Sequence, residues 1–422
     1  MKRLQVQIEV AGEFRLLGYI TYSGSEDACF QYADAYLEEN NALPVSLSLP
    51  LQREAFDPLR TKIFFEGLLP EGFTRRTVAQ WLQVVENDYI SLLHGLGHEC
   101  LGAIRVIDET DEQGSAYEPM SLEAIRTLAN EGAEKSTEII LASHLSLAGA
   151  SSKVGLYRSH TGAWYLPKGI APSTHIVKQS HVRLKWLVAN EQLALLTAQR
   201  LGIKVAPSFI VDTGKMQDED ILLASERYDR TFVGAKNYVD GLLCPVRLHQ
   251  EDFAQALGVG SENKYEKPGD FFLKRMFELL YKNSSRPLED MEELWKRIIF
   301  NYLIGNCDGH IKNNALLYSS NMQSLRLAPA YDIVSTVIYK PIKRNMSLYL
   351  AGECNLDAIS RDTFGRAAQE VGLGRKRALR LFDEMSAGFA TALQESAETL
   401  QQSGFAEAET ICRDILELGG HG

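Results

Sequence analysis

Between two apolar runs, RIIFNYLI and ALLY, lies the segment GNCDGHIKNN, residues 305–314. Its acid, histidine, lysine and asparagines would each cost free energy in a core without a partner. The polar groups are therefore expected on a rigid bend between buried elements. The amphipathic run LEDMEELWKRIIFNYLIG (288–305) predicts a helix stopped by Gly305, and NALLY with SLRLAPAY predicts a hairpin turned at SSNMQ. A hairpin returns the chain to its starting end, so Asp308 and Asn313, before the first strand, can meet Asp332, after the second. Two carboxylates and an amide oxygen are a hard-oxygen set suited to Mg²⁺, which also bridges phosphates. Phosphoryl transfer uses such a set: one acid orients the attacking hydroxyl, while another acid and an asparagine hold the metal. Each residue taken singly also reads as a helix cap, a strand start or an Asx turn.

The rest of the chain has the order of an α+β protein. Leu4, Val6, Ile8 and Val10 alternate with Arg3, Gln5, Gln7 and Glu9, a strand with one buried face. FRLLGYITY completes a hairpin, and LPVSLSLPL (43–51) is a further alternating run bracketed by prolines. Two short helical stretches and a strand near 101–107 close an N-terminal α+β subdomain over 1–107. Residues 108–135 read as an acidic, then helical, connection. Segment 136–245 is a β-rich lobe interrupted by the helix ANEQLALLTAQRLG (189–202), and 246–422 is a lobe dominated by helices, RKRALRLFDEMSAGFATALQESAETLQQ (375–402) among them. A β-rich lobe followed by a helical one is the outline of a two-lobed phosphotransferase, and of other α+β proteins too.

Composition narrows the classes. A length of 422 residues predicts two or three domains or lobes. The formal net charge of −11 opposes direct binding to nucleic-acid phosphates. The six cysteines (Cys29, Cys100, Cys244, Cys307, Cys354 and Cys412) show no CxxC and no ligand spacing, the pattern of reduced cytosolic thiols. MKRLQVQIEVAGEF lacks the apolar core of a signal peptide, and no run approaches a membrane span. The expectation is a cytoplasmic protein without a membrane partner.

Further constellations fit nucleotide chemistry. SLAGASSK (146–153) combines small residues and hydroxyls whose backbone N–H groups can approach an anion, with Lys153 adding charge. It is no Walker loop, and alone it also reads as a flexible connection. Lys178 ends the strand THIVK, where a lysine commonly snorkels to solvent. Glu191, at the start of the next helix, is the candidate for a kinase-like ion pair with it. ASERYDR (224–230) supplies an extended segment suited to an adenine.

These residues stand in motifs that resemble the HipA-like serine/threonine kinases, toxins of bacterial toxin–antitoxin pairs. The resemblance runs through VSLSLPL, FFEGLLPEG, LGHECLGAI, SLAGASSK, PSTHIVK, NEQLAL, ERYDR, RLHQEDFAQALG, KYE, DGHIKN and PAYDI. It implies a two-lobed, protein-kinase-like HipA fold: a β-rich N-terminal lobe with an extra N-terminal subdomain, and an all-helical C-terminal lobe. By motif, Asp308 would be the catalytic acid, and Asn313 and Asp332 would hold Mg²⁺. ATP would meet Ala148, Gly149, Ala150, Ser151, Ser152 and Lys153 in the phosphate loop, and Lys178 on the next strand. Glu226, Arg227 and Tyr228 would line the adenine, with His310, Lys312 and Tyr331 near the nucleotide. Ser146 matches the family's autophosphorylated serine, whose modification is associated with ejection of the loop. The family's loop often reads G-A-Q-x-K, so the extra hydroxyls here leave Ser151 and Ser152 as alternatives.

The resemblance also implies Mg²⁺ and ATP as cofactors and an aminoacyl-tRNA synthetase, such as glutamyl-tRNA synthetase, as the protein substrate. Its phosphorylation would arrest growth and favour persistence. The implied partner is a dimeric helix-turn-helix antitoxin of the HipB kind, with operator DNA bound mainly through it. A kinase-fold phosphotransferase for small molecules and a non-catalytic, nucleotide-binding corepressor are the alternatives.

Overall fold

A computed structural model describes residues 2–109, 114–131, 133–144, 146–149, 153–180, 184–214, 217–340 and 343–419. Compactness divides the chain into two units with interleaved segments. The first comprises Met1–Gln179, Ala224–Glu262 and Leu317–Ser324; the second comprises Ser180–Leu223, Asn263–Leu316 and Leu325–Gly422. The successive stretches 136–245 and 246–422 thus each contribute to both units.

The first unit opens with Lys2–Val10 (β1) and Glu13–Tyr22 (β2), followed by Cys29–Tyr32 (β3) and, much later, Ile104–Ile107 (β4). Their order is β3-β2-β1-β4. Ala11 and Gly12 both take positive φ, 53° and 86°, the backbone of a tight hairpin turn. Leu4, Val6 and Ile8 are buried as the alternation predicts, but Glu9 is buried too, because Arg247 pairs with it. Helices Pro58–Glu66, Gly72–Leu82 and Tyr89–Leu96 follow, and Phe65 packs on Phe30 of β3 with ring centroids 5.2 Å apart.

The run 43–51 is not a strand; its one ladder contact is the isolated Ser46–Leu49 bridge. Side chains from elsewhere satisfy its backbone instead. The Tyr32 hydroxyl serves Val45 N–H, His249 meets Val45 O, and Glu251 accepts from Leu47 N–H. Alternation misled here because a peptide satisfied by side chains needs no neighbouring strand.

A second sheet in this unit contains Ser115–Pro119 (β5), Lys153–Arg158 (β6), Trp164–Gly169 (β7) and His175–Gln179 (β8), in the order β5-β7-β6-β8. β5 falls within the stretch read as a connection. Only Tyr117 of β5 is buried, its ring tilted against that of Tyr157 with centroids 4.4 Å apart, so this edge strand carries almost no alternation to read.

The second unit is built on helices Leu187–Arg200, Phe272–Asn283, Pro287–Ile304, Arg361–Glu370, Arg375–Gln402 and Ala408–Leu418. Trp295, Tyr302, Phe364 and Phe382 form its aromatic core, with Phe364 and Phe382 centroids 4.7 Å apart. Gly305 ends the long helix at φ 71°, and a Cβ there would lie 2.4 Å from Val337 Cγ2. Glycine is thus required twice over, by conformation and by space. The unit also carries a hairpin, Asn345–Leu350 with Glu353–Asn355, that the sequence reading lacks.

In the first unit, three arginines converge on one buried acid. Glu99 accepts from Arg227 at 3.0 Å, Arg230 at 2.8 Å and Arg247 at 2.7 Å. Asp229 pairs with Arg227 at 2.7 Å and accepts from Gly102 N–H at 2.7 Å, while Arg247 also reaches Glu9 at 3.1 Å. Three carboxylates and three guanidiniums balance one another. Burial alone would raise the two central acids, but the surrounding arginines outweigh it and hold Glu99 and Asp229 at about 2. Removing one member strands a buried charge, so Glu99→Ala should lower unfolding free energy by ~3–5 kcal/mol in chemical denaturation.

Glu251 behaves in the opposite sense. Burial raises its carboxyl to about 7, although Ser46 Oγ (2.5 Å), Tyr318 hydroxyl (2.6 Å) and Leu47 N–H (3.1 Å) donate to it. A raised carboxyl favours the native state at low pH, and that contribution is lost as pH climbs through the folded value. Thermal stability should therefore fall between about pH 5 and pH 8, and Glu251→Gln should flatten the fall in a pH-resolved melting series.

Candidate active site

The segment after Gly305 is held by a ladder of amides. Asn306 N–H donates to Asn301 O at 2.8 Å, and its side-chain amide donates to Asn301 Oδ1 at 3.0 Å. Asn306 Oδ1 then receives Asp308 N–H at 3.0 Å. On the far side, Asn313 Nδ2 and His310 N–H both donate to Asp308 O, at 2.9 and 2.7 Å. Cys307 N–H donates to Thr336 Oγ1 at 2.9 Å, and Cys307 O accepts from Ser347 Oγ at 2.6 Å. Gly309 lets the ladder close, since a Cβ there would come 2.5 Å from Asn301 Nδ2. Asp308 itself is exposed, with the Tyr265 hydroxyl donating to its Oδ1 at 2.7 Å.

Asp332 stands two residues after Ala330, which bridges Val205, and adopts φ 56°, the left-handed region that a non-glycine residue rarely occupies. The next turn is tied to the buried Asn190, whose amide exchanges hydrogen bonds with Ser335 at 2.9 and 3.1 Å. Tyr331 donates its hydroxyl to Lys312 O at 2.9 Å. Asn301, Asn306, Asn313, Tyr331 and Asp332 line one pocket in the second unit. The structure thus brings Asn313 and Asp332 together; Asp308 joins them through its main chain, bonded to the Asn313 amide. His310 and Lys312 are buried, and the His310 ring meets the Tyr265 ring edge-on at 5.3 Å. Among the described residues no three His, Cys, Asp or Glu side chains group as a metal site. The set here is an amide and a carboxylate, and the Asn313 Nδ2 bond to Asp308 O leaves Oδ1 as the other end of that amide. Such a donor set fits Mg²⁺, a hard cation that prefers oxygen ligands.

The first unit holds the nucleotide candidates. Lys153 on β6 and Lys178 on β8 are direct cross-strand partners. Side chains opposite each other share a face, so the two lysines lie on one side of the sheet. Gly149 has φ 109°, and a Cβ there would stand 2.7 Å from Lys153 Nζ, so the lysine head lies against bare backbone. That is the cradle a phosphate needs. Ala148 and Gly149 lie within the described residues, whereas Ala150, Ser151 and Ser152 lie outside them.

Ser146 is buried. Its Oγ donates to Leu68 O at 2.7 Å and its N–H to Glu99 O at 2.8 Å. Pro70 bridges Gly149, and Glu71 N–H donates to Gly149 O at 3.0 Å. The loop's entry is therefore clamped by the N-terminal subdomain.

Glu226 ends its strand exposed. Arg227 is committed elsewhere: its guanidinium makes five hydrogen bonds, to Asp229, Glu99, Ser173 and Cys100 O. Its side chain therefore serves the buried ion network. The Tyr228 hydroxyl donates to Gln250 Oε1. Glu191 is buried on helix Leu187–Arg200 in the second unit, whereas Lys178 belongs to the first. Sequence reasoning missed Asn301, Asn306, Tyr265 and the acid Glu99; the available signal was polar residues set among apolar neighbours in NYLIGN, KYE and LGHECLGAI.

Known proteins resemble this chain in sequence and fold. A putative kinase, Y4mE, of Sinorhizobium fredii is 34% identical over 396 residues, covering 91% of each chain. The serine/threonine-protein kinase toxin HipA of Shewanella oneidensis is 25% identical over 387 residues, covering 86% of this chain and 82% of its own. A chain in the Shewanella oneidensis complex of HipA, HipB and operator DNA matches with a TM-score of 0.79 at 21% identity, over 98% of this chain and 96% of that one, which identifies the fold. The HipA N-terminal domain matches residues 8–107, and the HipA-like C-terminal domain matches residues 145–393. With both domains present in order over most of its length, the chain belongs to the HipA family.

Proposed function

We propose that this chain is a Mg²⁺- and ATP-dependent serine/threonine protein kinase, the toxin of a toxin–antitoxin pair. The observation that carries this reading is the fixed catalytic segment: Asp308 is held on both sides by Asn306 and Asn313, and Asn313 shares a pocket with Asp332. Asp308 orients the acceptor hydroxyl and accepts its proton. Asn313 and Asp332 would hold the metal, which would supply positive charge to neutralise the phosphates. Lys153, Lys178 and the Gly149 backbone take the phosphates. Glu226 and Tyr228 lie along the adenine segment, with His310, Lys312 and Tyr331 supporting the nucleotide side of the catalytic turn.

The acceptor is a protein, with an aminoacyl-tRNA synthetase of the glutamyl type as the first candidate. The family membership supports a helix-turn-helix antitoxin as partner, with operator DNA contacted mainly through it. The net charge of −11 fits that division, since the partner would supply the phosphate contacts.

Incubation with labelled ATP and Mg²⁺ tests the chemistry. Asp308→Ala should lower phosphoryl transfer by about 10²–10⁴-fold, the usual worth of a positioned acid–base group. Equal labelling of both proteins overturns its role.

Ser146 is the proposed autophosphorylation site. A phosphate there adds about −1.5 to −2 charges, which neither the buried pocket around Leu68 O nor nearby ATP phosphates would accept. The loop must leave its clamp for the modified form to exist. Phosphopeptide mapping should place the label on Ser146 and lose it in Ser146→Ala, while Ser146→Asp should weaken ATP binding at least ~10-fold. Label confined to Ser151 or Ser152 would transfer the role to those residues.

A further inference from the structure

The motif KYE, residues 264–266, has no part in the chemistry described so far. In the structure it lies against the catalytic turn. Tyr265 is about half exposed, yet its hydroxyl donates to Asp308 Oδ1 at 2.7 Å and its ring packs on the edge of His310 at 5.3 Å. Its neighbour Glu266 fixes the position. The Glu266 carboxylate accepts from Phe272 N–H at 2.8 Å and Tyr349 N–H at 2.7 Å, and its own N–H donates to Ser347 O at 3.0 Å. Ser347 Oγ in turn donates to Cys307 O at 2.6 Å, the peptide immediately before Asp308. The contacts close a ring, Asp308 to Tyr265 to Glu266 to Ser347 to Cys307, entirely within the second unit.

We infer that Tyr265 is a positioning residue that orients the Asp308 carboxylate toward the acceptor hydroxyl, an inference that rests on the kinase reading above. An exposed aspartate samples several rotamers in water. A hydroxyl-to-carboxylate bond is charge-assisted and directional, so holding Oδ1 selects one rotamer and turns Oδ2 to the remaining side. That geometry matters because an acid that is misplaced by about 1 Å forfeits much of its rate advantage. The amide ladder fixes the main chain of Asp308 but does not touch its carboxylate. The Tyr265 hydroxyl does touch it, and Glu266 keeps Tyr265 from drifting.

Tyr265→Phe removes only the hydroxyl. We expect it to reduce the saturating rate of label transfer from ATP about 10- to 100-fold, with half-saturating ATP and melting temperature unchanged. In the Asp308→Ala background the same substitution should have no further effect, since the hydroxyl acts only through that carboxylate. A Tyr265→Phe protein that labels at the wild-type rate overturns the inference, as does an equal loss in the Asp308→Ala background. So does a loss expressed through half-saturating ATP or a lowered melting temperature. A wild-type chain that transfers no phosphate overturns the kinase reading beneath it, a result distinct from all of these.

Discussion

Three guanidiniums sharing the Glu99 carboxylate set the internal frame of the first unit. Burying an isolated carboxylate costs several kcal/mol, and here Arg227, Arg230 and Arg247 all neutralise it. Through Arg247 the cluster reaches Glu9 on the opening strand; through Arg227 it fixes the segment that follows the strand Ile221–Glu226. The Glu99 main chain extends the reach further, with its carbonyl receiving Ser146 N–H and its own N–H donating to His144 O. One residue therefore ties the opening sheet, the segment after Ile221–Glu226 and the stretch Ser146–Gly149 into a common framework. Charge supplies direction here, because an ion pair specifies which atoms meet whereas an apolar contact does not.

The second unit solves its own problem with uncharged groups. Around Asp308 the constraints come from Asn301, Asn306, Asn313, Thr336 and Ser347, whose amides and hydroxyls satisfy a non-helical backbone at the end of a long helix. Neutral donors and acceptors hold the main chain of the turn.

What the sequence revealed follows from distance along the chain. The helix Pro287–Ile304, its stop at Gly305, the helix Arg375–Gln402 and the meeting of Asn313 with Asp332 all rest on local periodicity, a cap or one hairpin. The ion network does not: Glu99 and Arg247 are 148 positions apart, and no local pattern announces their pairing. The same limit hid the environment of residues 43–51, whose backbone partners Glu251 and His249 lie about two hundred positions away. Tyr265 was visible only as part of a motif, since its role depends on an acid 43 positions onward. Glu9 looked like a solvent-facing alternate for the same reason, its arginine being remote.

The interleaving of the two units bears on how such a chain can be dissected. The hairpin of Ala315–Tyr318 and Leu325–Leu327 leaves the second unit at Leu316, spends Leu317–Ser324 in the first, where Ala11 N–H donates to Ser320 O, and returns at Leu325. No single cut separates one unit from the other, and each contiguous fragment would lack strands or loops that complete its core. Fragment complementation, domain transplantation and limited proteolysis would all meet a polypeptide woven rather than beaded. Its lobes share one inheritance, and a crossover that exchanges one of them must carry three separate stretches of sequence at once.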